Sequence, residues 1–441
     1  MRGKKVSAPK AQLPLDYCKS KLGYIIKGAT AMNYEGVSRS GHSETAVINF
    51  SPKKKTFFVK QYFFSESEHS PLYAAVHNPK LLYFQEMRNT GRIYNQVGCD
   101  LVPKIESSDD DNLILFFEYV DTPADGQHYL EARKKKDAGE KLRLIYEGAK
   151  KIARFDARLN LQPDLFKKDL QEQRHTLDTK TARLTDYLLK ILEHQYRSQG
   201  KDVPADAESQ KEFFRAETGL NFWERIRDLV SLGQVLGEEF LLQHGDCRVQ
   251  HVLGKKFVDL EQFGLHEYGY DLVTYLSAEG GIAMPPITEL SSVLGIYLAY
   301  QQANTEGNKR ERKRKVTNLD GLGTTDVLKR IPSYNHTRFT ARFLALDILE
   351  SLHLDSSNKR YAPEHRQQFI NAIPGYTLED MNRARLDHIK DIFTLVSEHS
   401  LMWNQLEDSA KVKEYFNSFA ELLQRLSLVD VEAPVLEKMR K

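Results

Sequence analysis

The spacing of apolar and polar positions changes character near residue 120. Between about Leu22 and Val120 it is mainly that of strands. Thr45–Phe50 and Thr56–Phe64 are β-branched and aromatic runs, and Ser51-Pro52-Lys53-Lys54-Lys55 between them predicts a hairpin. Asn78-Pro79 then supplies an N-cap and a first-turn proline, and apolar residues at helical spacing from Lys80 to Val97 predict one helix. An acidic turn, Ser107–Asn112, precedes a further strand at Leu113–Val120. Beyond Tyr129 the period becomes helical, with amphipathic stretches over 142–160, 165–198, 209–241, 287–303, 338–354, 378–404 and 411–427. One short interruption, Val252-Leu253, Gly254-Lys255-Lys256, Phe257-Val258, reads as a small hairpin. A three-residue turn there puts both lysines in solvent and pairs Leu253 with Phe257, Val252 with Val258 and His251 with Asp259. A two-residue turn would send His251 and Asp259 to opposite faces. The expected organisation is an N-terminal extension (1–24), a β-rich lobe (25–120) and a helical lobe (121–441).

Composition narrows the function classes. At 441 residues the chain is about two to three domains long. Its 63 Lys+Arg against 61 Asp+Glu, a net charge of +2, argue against a dedicated nucleic-acid binder. The longest charge-free apolar stretch considered, Leu290–Tyr300, is too short for a membrane span. The basic N-terminus (Arg2, Lys4, Lys5) is followed by no apolar segment, so no secretion is expected. Cys18, Cys99 and Cys247 share no metal or redox spacing. A reduced, cytoplasmic protein with no membrane association is expected. Lys309–Lys315, six cations around Glu311, reads first as a solvated mobile loop and second as a nuclear-import or nucleic-acid patch. Arg133–Lys136 reads as the exposed start of a helix.

The strongest chemical signal surrounds the short hairpin: His244-Gly245-Asp246-Cys247-Arg248-Val249-Gln250-His251, then Phe257-Val258-Asp259-Leu260-Glu261. Phosphoryl transfer needs a carboxylate to orient the acceptor hydroxyl and hard ligands to hold a divalent cation on the nucleotide phosphates. Asp246 suits the first task and Asp259 the second. In this block the sequence resembles the aminoglycoside phosphotransferase and choline kinase branch of the protein-kinase-like fold. That family shows His-Gly-Asp, four residues, Asn, an apolar strand pair and then Ile-Asp-Trp-Glu or similar. His244, Gly245, Asp246, Val258, Asp259 and Glu261 fall in place, and Tyr270-Asp271-Leu272 resembles the family's downstream Asp-Leu.

The resemblance implies a bilobal α+β fold, with a small antiparallel-sheet N-lobe and a large helical C-lobe. It also implies ATP and Mg2+ as cofactors and a small hydroxyl-bearing acceptor. Asp246 becomes the catalytic residue, Asp259 a metal ligand, and His244, Glu261 and Asp271 their support. The family's Asn is His251 here, and an imidazole suits Mn2+ better than Mg2+. It is a second candidate ligand, although a lone strand histidine is more often a packing residue. Lys60, inside an apolar strand, is the candidate phosphate clamp, steadied by Glu86 on the 80–97 helix. The bland alternatives are a snorkelling lysine and an exposed helix charge. Loss of Lys60 is expected to weaken nucleotide binding while leaving the fold intact. Ser40, Gly41 and Ser43 lie in a small-residue turn suited to phosphate, and Glu118 and Val120 fall where the resemblance puts the adenine-binding hinge. Rival readings are a pseudokinase, a kinase acting on a protein or lipopolysaccharide sugar, a zinc hydrolase using His244, His251 and His266, and an RNA-associated protein using the basic run.

Overall fold

The computed structural model describes residues 31–39, 43–51, 55–63, 78–166, 177–204, 206–237, 239–354, 370–371, 375–399 and 403–440. The proposed N-terminal extension lies outside them. Two compact units divide the described chain: residues 31–127 with 250–263, and residues 128–249 with 264–440. The short hairpin at 252–257, placed by its sequence in the helical lobe, therefore clusters with the first unit.

Strand-forming alternation builds the first unit. Strands β1 (Ala31–Arg39), β2 (Ser43–Ser51) and β3 (Lys55–Tyr62) run antiparallel, followed by helix α1 (Pro79–Arg92) and strands β4 (Ile105–Asp109) and β5 (Ile114–Glu118). The sheet order is β1-β2-β3-β5-β4. On β3, Phe57 and Val59 are buried on one face, while Phe58, Lys60 and Tyr62 share the other. Helix α1 begins as its sequence predicts: the Asn78 side chain accepts the N–H groups of Lys80 and Leu81, with Pro79 in the first turn. Leu82 and Tyr83 pack with Tyr62, Leu115 and Phe117 into the core between helix and sheet. That contact fixes the rotation of α1, and with it the direction in which Glu86, one turn beyond Leu82, points.

The second unit is helical. Its elements include α2 (Asp125–Lys134, which carries the chain in from the first unit), α3 (Ala138–Asn160), α4 (Leu177–Ser198), α5 (Ala207–Thr218) and α6 (Phe222–Gly233). Strand β6 (Phe240–Gln243) follows. The chain then forms β7 (Val252–Leu253) and β8 (Lys256–Phe257) of the hairpin and returns as β9 (Gly264–Glu267), which pairs antiparallel with β6. Helices α7 (Tyr270–Gly281), α8 (Ile287–Thr305), α9 (Lys309–Asp320), α10 (Ser333–Ser351), α11 (Leu378–Glu398) and α12 (Ser409–Arg425) come after it. Helix α8 contains the Leu290–Tyr300 run and is buried on nearly every side, as an all-round apolar core helix must be. No described helix is long and apolar enough to cross a membrane. A small antiparallel sheet with one helix between its third and fourth strands, followed by a larger helical unit, is the expected bilobal α+β architecture.

Three local expectations change. The 209–241 stretch is not one helix: Gly219, at φ 67°, ends α5, and the apolar run Phe240-Leu241-Leu242 is a strand. A short apolar run carries no period that separates helix from strand. The 309–315 run is not a loop but the start of α9, because Asn308 and Glu311 form a reciprocal capping box that outweighs the repulsion among its cations. Arg133 and Lys134 close α2 rather than opening a helix, which suits the negative helix C-terminus.

A half-buried histidine joins α10 to α11. His388 Nε2 lies 2.8 Å from Asp347 Oδ2, and Asp347 is fully buried. Burial alone would depress the imidazolium, but the Asp347 carboxylate overrides it and holds the His388 pKa above its usual value. A pKa raised on folding contributes stability that is fully present below the unfolded value of about 6.5 and is lost as pH rises through the folded value. The stability advantage of wild type over His388→Gln should therefore shrink as pH is raised above about 6.5, read by urea denaturation at a series of pH values. A difference that stays constant with pH would contradict this assignment.

Candidate active site

Within the first unit, the side chains converge on Lys60. Its ammonium donates to Glu86 Oε2 at 3.0 Å, Asp259 Oδ1 at 2.5 Å and Glu261 Oε2 at 3.1 Å. The residue is 4% exposed and Glu86 2%. Burial works against the ammonium, but Asp259, Glu261 and Glu86 together raise the Lys60 pKa well above its usual value. Burial also pushes the Glu86 carboxyl up to about 7, against the pull of Lys60 and with Asp259 and Glu261 adding to the rise. The Tyr62 hydroxyl also donates to Glu86 Oε2. One cation thus stands among three carboxyl groups in a largely dehydrated position. Asp259, 28% exposed at its side chain, is the most accessible of the four. A small antiparallel sheet with a lysine on its third strand bound to a glutamate on the helix that follows, ahead of a larger helical unit, is the protein-kinase-like arrangement. The fold is protein-kinase-like.

The hairpin that presents Asp259 has a different register from the expected one. Val252 pairs with Phe257 and Leu253 with Lys256, which leaves a two-residue turn at Gly254-Lys255. Gly254 takes φ 61°, and a Cβ there would stand 3.1 Å from Thr122 Cγ2, so both backbone and space call for glycine. The expectation failed because it sent Lys256 to solvent. Lys256 Nζ instead binds both oxygens of Glu118 at 2.9 Å, which gives the strand position a partner. His251 and Asp259 still meet, with Nε2 3.3 Å from Oδ2. Asp259 leaves the extended conformation altogether, at φ 67°, so strand alternation no longer governs its side chain. Aspartate tolerates that region better than most residues. The 3₁₀ turn Leu260–Gln262 that follows brings Glu261 to Lys60 as well.

Other candidates in this unit fall as follows. Ser40 and Gly41 lie outside the described residues. Ser43 opens β2, buried opposite Tyr62. The Glu118 side chain is a strut to the hairpin, its backbone N–H donates to Lys104 O at 2.8 Å, and the Val120 carbonyl accepts the Thr122 N–H at 2.8 Å.

In the second unit, β6 delivers the His244-Gly245-Asp246 turn, with Gly245 at φ 85°. Asp271, in the first turn of α7 and fully buried, accepts the His244 N–H through Oδ2 at 2.7 Å and the Gly245 N–H through Oδ1 at 2.9 Å. Asp271 thereby anchors the turn by its backbone, which is why a carboxylate is needed there. His244 is buried and accepts the Asp246 N–H through Nδ1 at 3.3 Å. Asp246 Oδ1 accepts from Arg248 Nε at 2.7 Å.

Sequence reasoning assigned no role to three residues that hold this turn. Arg248 sits two residues beyond Asp246, close enough that a basic residue there was a readable signal. Gln243 ties β6 to β9 by donating to the carbonyls of His266 and Glu267, and its Oε1 accepts the Asp271 N–H. Asp156, in mid-helix on α3, gave no signal at all. The zinc-hydrolase alternative finds no support: His266 stacks on Tyr270 with ring centroids 5.0 Å apart. Among the described residues, no cluster of potential ligands includes His244 or His266.

No protein-family model matches the sequence, and no curated protein matches it. Among solved structures, the chain is similar to an ethanolamine kinase from Plasmodium vivax at 12% identity and TM-score 0.45, over 85% of this chain and 87% of that one. It is similar to a choline kinase from Cryptosporidium parvum at 11% identity and TM-score 0.42, over 86% and 99%. It is also similar to a type VIII aminoglycoside-3'-phosphotransferase at 14% identity and TM-score 0.35, over 68% and 97%. At such values the likeness assigns no residue a role.

The cage revises the expected effect of removing Lys60. Lys60→Ala leaves three carboxyl groups without their shared cation, a loss of about 3–5 kcal/mol for a broken buried pair. The variant should therefore unfold at markedly lower denaturant than wild type, and Glu86→Gln added to Lys60→Ala should recover part of the loss. A Lys60→Ala protein with the wild-type midpoint would show that the cage contributes nothing to folding.

Proposed function

We propose that the protein is an ATP-dependent phosphotransferase that moves the γ-phosphate to a hydroxyl of a small molecule. The observation that carries this reading is the Lys60 ammonium held among Glu86, Asp259 and Glu261. Such a cage leaves an excess of negative charge around one cation, and a nucleotide with a divalent cation answers it. With nucleotide bound, Lys60 would donate to the phosphates, Glu86 would keep Lys60 in place, and Asp259 would be free to hold the metal. The donor set fits a divalent cation: a partly exposed carboxylate with an imidazole nitrogen 3.3 Å from it. Carboxylate plus imidazole favours Mn2+ over Mg2+, which prefers oxygen alone. A divalent cation held by Asp259 and His251 would neutralise the charge that develops on transfer.

Asp246 serves the acceptor. Its carboxylate, oriented through Oδ1 by Arg248, accepts the hydroxyl proton's hydrogen bond and points the oxygen for in-line attack. The acceptor class rests on the resemblance of the 244–272 block. A second reading, a nucleotide binder without turnover, draws on the direct 2.5 Å contact between Lys60 and Asp259, which leaves the clamp closed on the metal ligand.

A thermal-shift titration with nucleotides and divalent cations tests the reading. ATP with Mn2+ should stabilise the protein more than ATP with Mg2+, and both more than ATP alone. Asp259→Asn should lose the metal-dependent part of the shift. Asp246→Asn should keep it while losing phosphate transfer to any acceptor. His251→Asn should move the preference back toward Mg2+. Identical metal titrations for Asp246→Asn and Asp259→Asn would contradict the division of labour. Nucleotide binding with no ATP consumption across an acceptor screen would favour the second reading.

A further inference from the structure

Behind the His244-Gly245-Asp246 turn lies a second carboxyl group that the proposed chemistry does not use. Asp156, on α3, is 0% exposed, as is Asp271. The Tyr297 hydroxyl from α8 donates to Asp156 Oδ2 at 2.7 Å. The other oxygen, Oδ1, is buried and meets no N–H or O–H donor of the described residues, yet the side chain is within hydrogen-bonding reach of Asp271. Asp271 already accepts a backbone N–H on each of its oxygens. Two buried carboxyl groups in contact, both acting only as acceptors, would repel in a region of low dielectric. A proton between them removes the conflict, and the existing bonds say where it belongs. Asp271 is the acceptor, Asp156 Oδ2 accepts from Tyr297, and Asp156 Oδ1 is the one oxygen placed to be an O–H.

We propose that Asp156 is a positioning residue: it stays a neutral carboxylic acid at neutral pH and donates its proton to Asp271, the carboxylate that anchors the His244–Gly245 backbone. Burial, the Asp271 charge and their hydrogen bond all hold the Asp156 pKa well above the usual carboxylate range, with Tyr297 alone pulling the other way. The titratable groups that face the pair are Tyr297 from α8, Tyr268 just beyond β9 and His244, whose ring lies against Phe155. None of them is a lysine or arginine. The same helix holds the strand before the turn one turn further on: Asn160 accepts the Leu242 N–H at 2.9 Å and donates to the Leu242 carbonyl at 2.9 Å. Asp156 and Asn160 thus hold β6 and the turn after it from one face of α3. Only the consequence for Asp246 depends on the function proposed above. The protonation itself does not.

The test is the pH dependence of stability, measured without nucleotide. The folded wild type carries a proton on Asp156 that the unfolded chain releases above about pH 4, whereas Asp156→Asn keeps a neutral donor at every pH. Folding of the variant should gain on wild type by about tenfold in equilibrium constant per pH unit between about pH 5 and 7. Parallel stability curves would overturn the proposal, because they would mean that folded Asp156 is ionised. A second measurement needs no variant. Wild type labelled with carbon-13 at its aspartate carboxyls should show the infrared carbonyl stretch of a protonated acid at neutral pH, resolved from any signal of Glu86. Absence of that labelled band would overturn the proposal even if Asp156→Asn failed to fold.

Discussion

A lysine cannot be kept away from water without anions around it, and the first unit is organised around that requirement. Lys60 projects from β3 onto the face covered by α1, so its ammonium has left solvent before any ligand is considered. Glu86 reaches it because Leu82 and Tyr83 seat the helix on the sheet. Asp259 and Glu261 reach it because the chain turns to a left-handed conformation at Asp259 and then through a 3₁₀ turn. The hairpin that delivers those two carboxylates is pinned in turn by Lys256 on Glu118 and by the Phe257 N–H on the Leu101 carbonyl. Removing the lysine would leave each of these placements serving an unbalanced charge. A phosphotransferase uses the same arrangement, because a clamp with more anions than cations accepts a metal and a polyphosphate without reorganising its frame.

The second unit meets a related constraint with the charges reversed. Among the described residues, no ammonium donates to Asp271 or Asp156, the carboxyl groups that hold the His244-Gly245-Asp246 turn from behind. Backbone N–H groups, a tyrosine hydroxyl and a shared proton satisfy the carboxyl groups instead. Such a network fixes geometry only if every member is satisfied, since a half-satisfied buried polar group costs more than an apolar one. Gln243 shows the same economy of direction. Its amide donates to β9 while its carbonyl accepts from Asp271, so one side chain aligns the strand pair and the start of α7 together.

The elements that could be read from the sequence were those with local chemistry. Asn78-Pro79 announced α1, and the β-branched runs announced β2 and β3. The Asp246–Asp259 block stood out because its residues follow one another within a short span, and Lys60 did because a charge inside Phe-Phe-Val-Lys-Gln-Tyr-Phe needs a reason. What could not be read depended on partners distant in sequence. The hairpin register turned on Glu118, far upstream of Lys256; His251 and Asp259 do meet as expected, but by way of one backbone angle at Asp259 that alternation cannot foresee. Asp156 is an ordinary helix aspartate until Asp271 and Tyr297 close around it. The basic run of α9 was misjudged as a loop because cation repulsion is visible along the chain while a capping box is easily overlooked beside it.

The central claim is that Lys60, Asp259 and His251 form a nucleotide-metal site. The most direct measurement is the anomalous scattering of Mn2+ in crystals grown with a non-hydrolysable ATP analogue. The account predicts a manganese peak coordinated by an Asp259 oxygen and the His251 imidazole, with the Lys60 ammonium moved from Asp259 onto a phosphate oxygen. A bound analogue with no metal at Asp259, and with Lys60 still held by all three carboxylates, would contradict it.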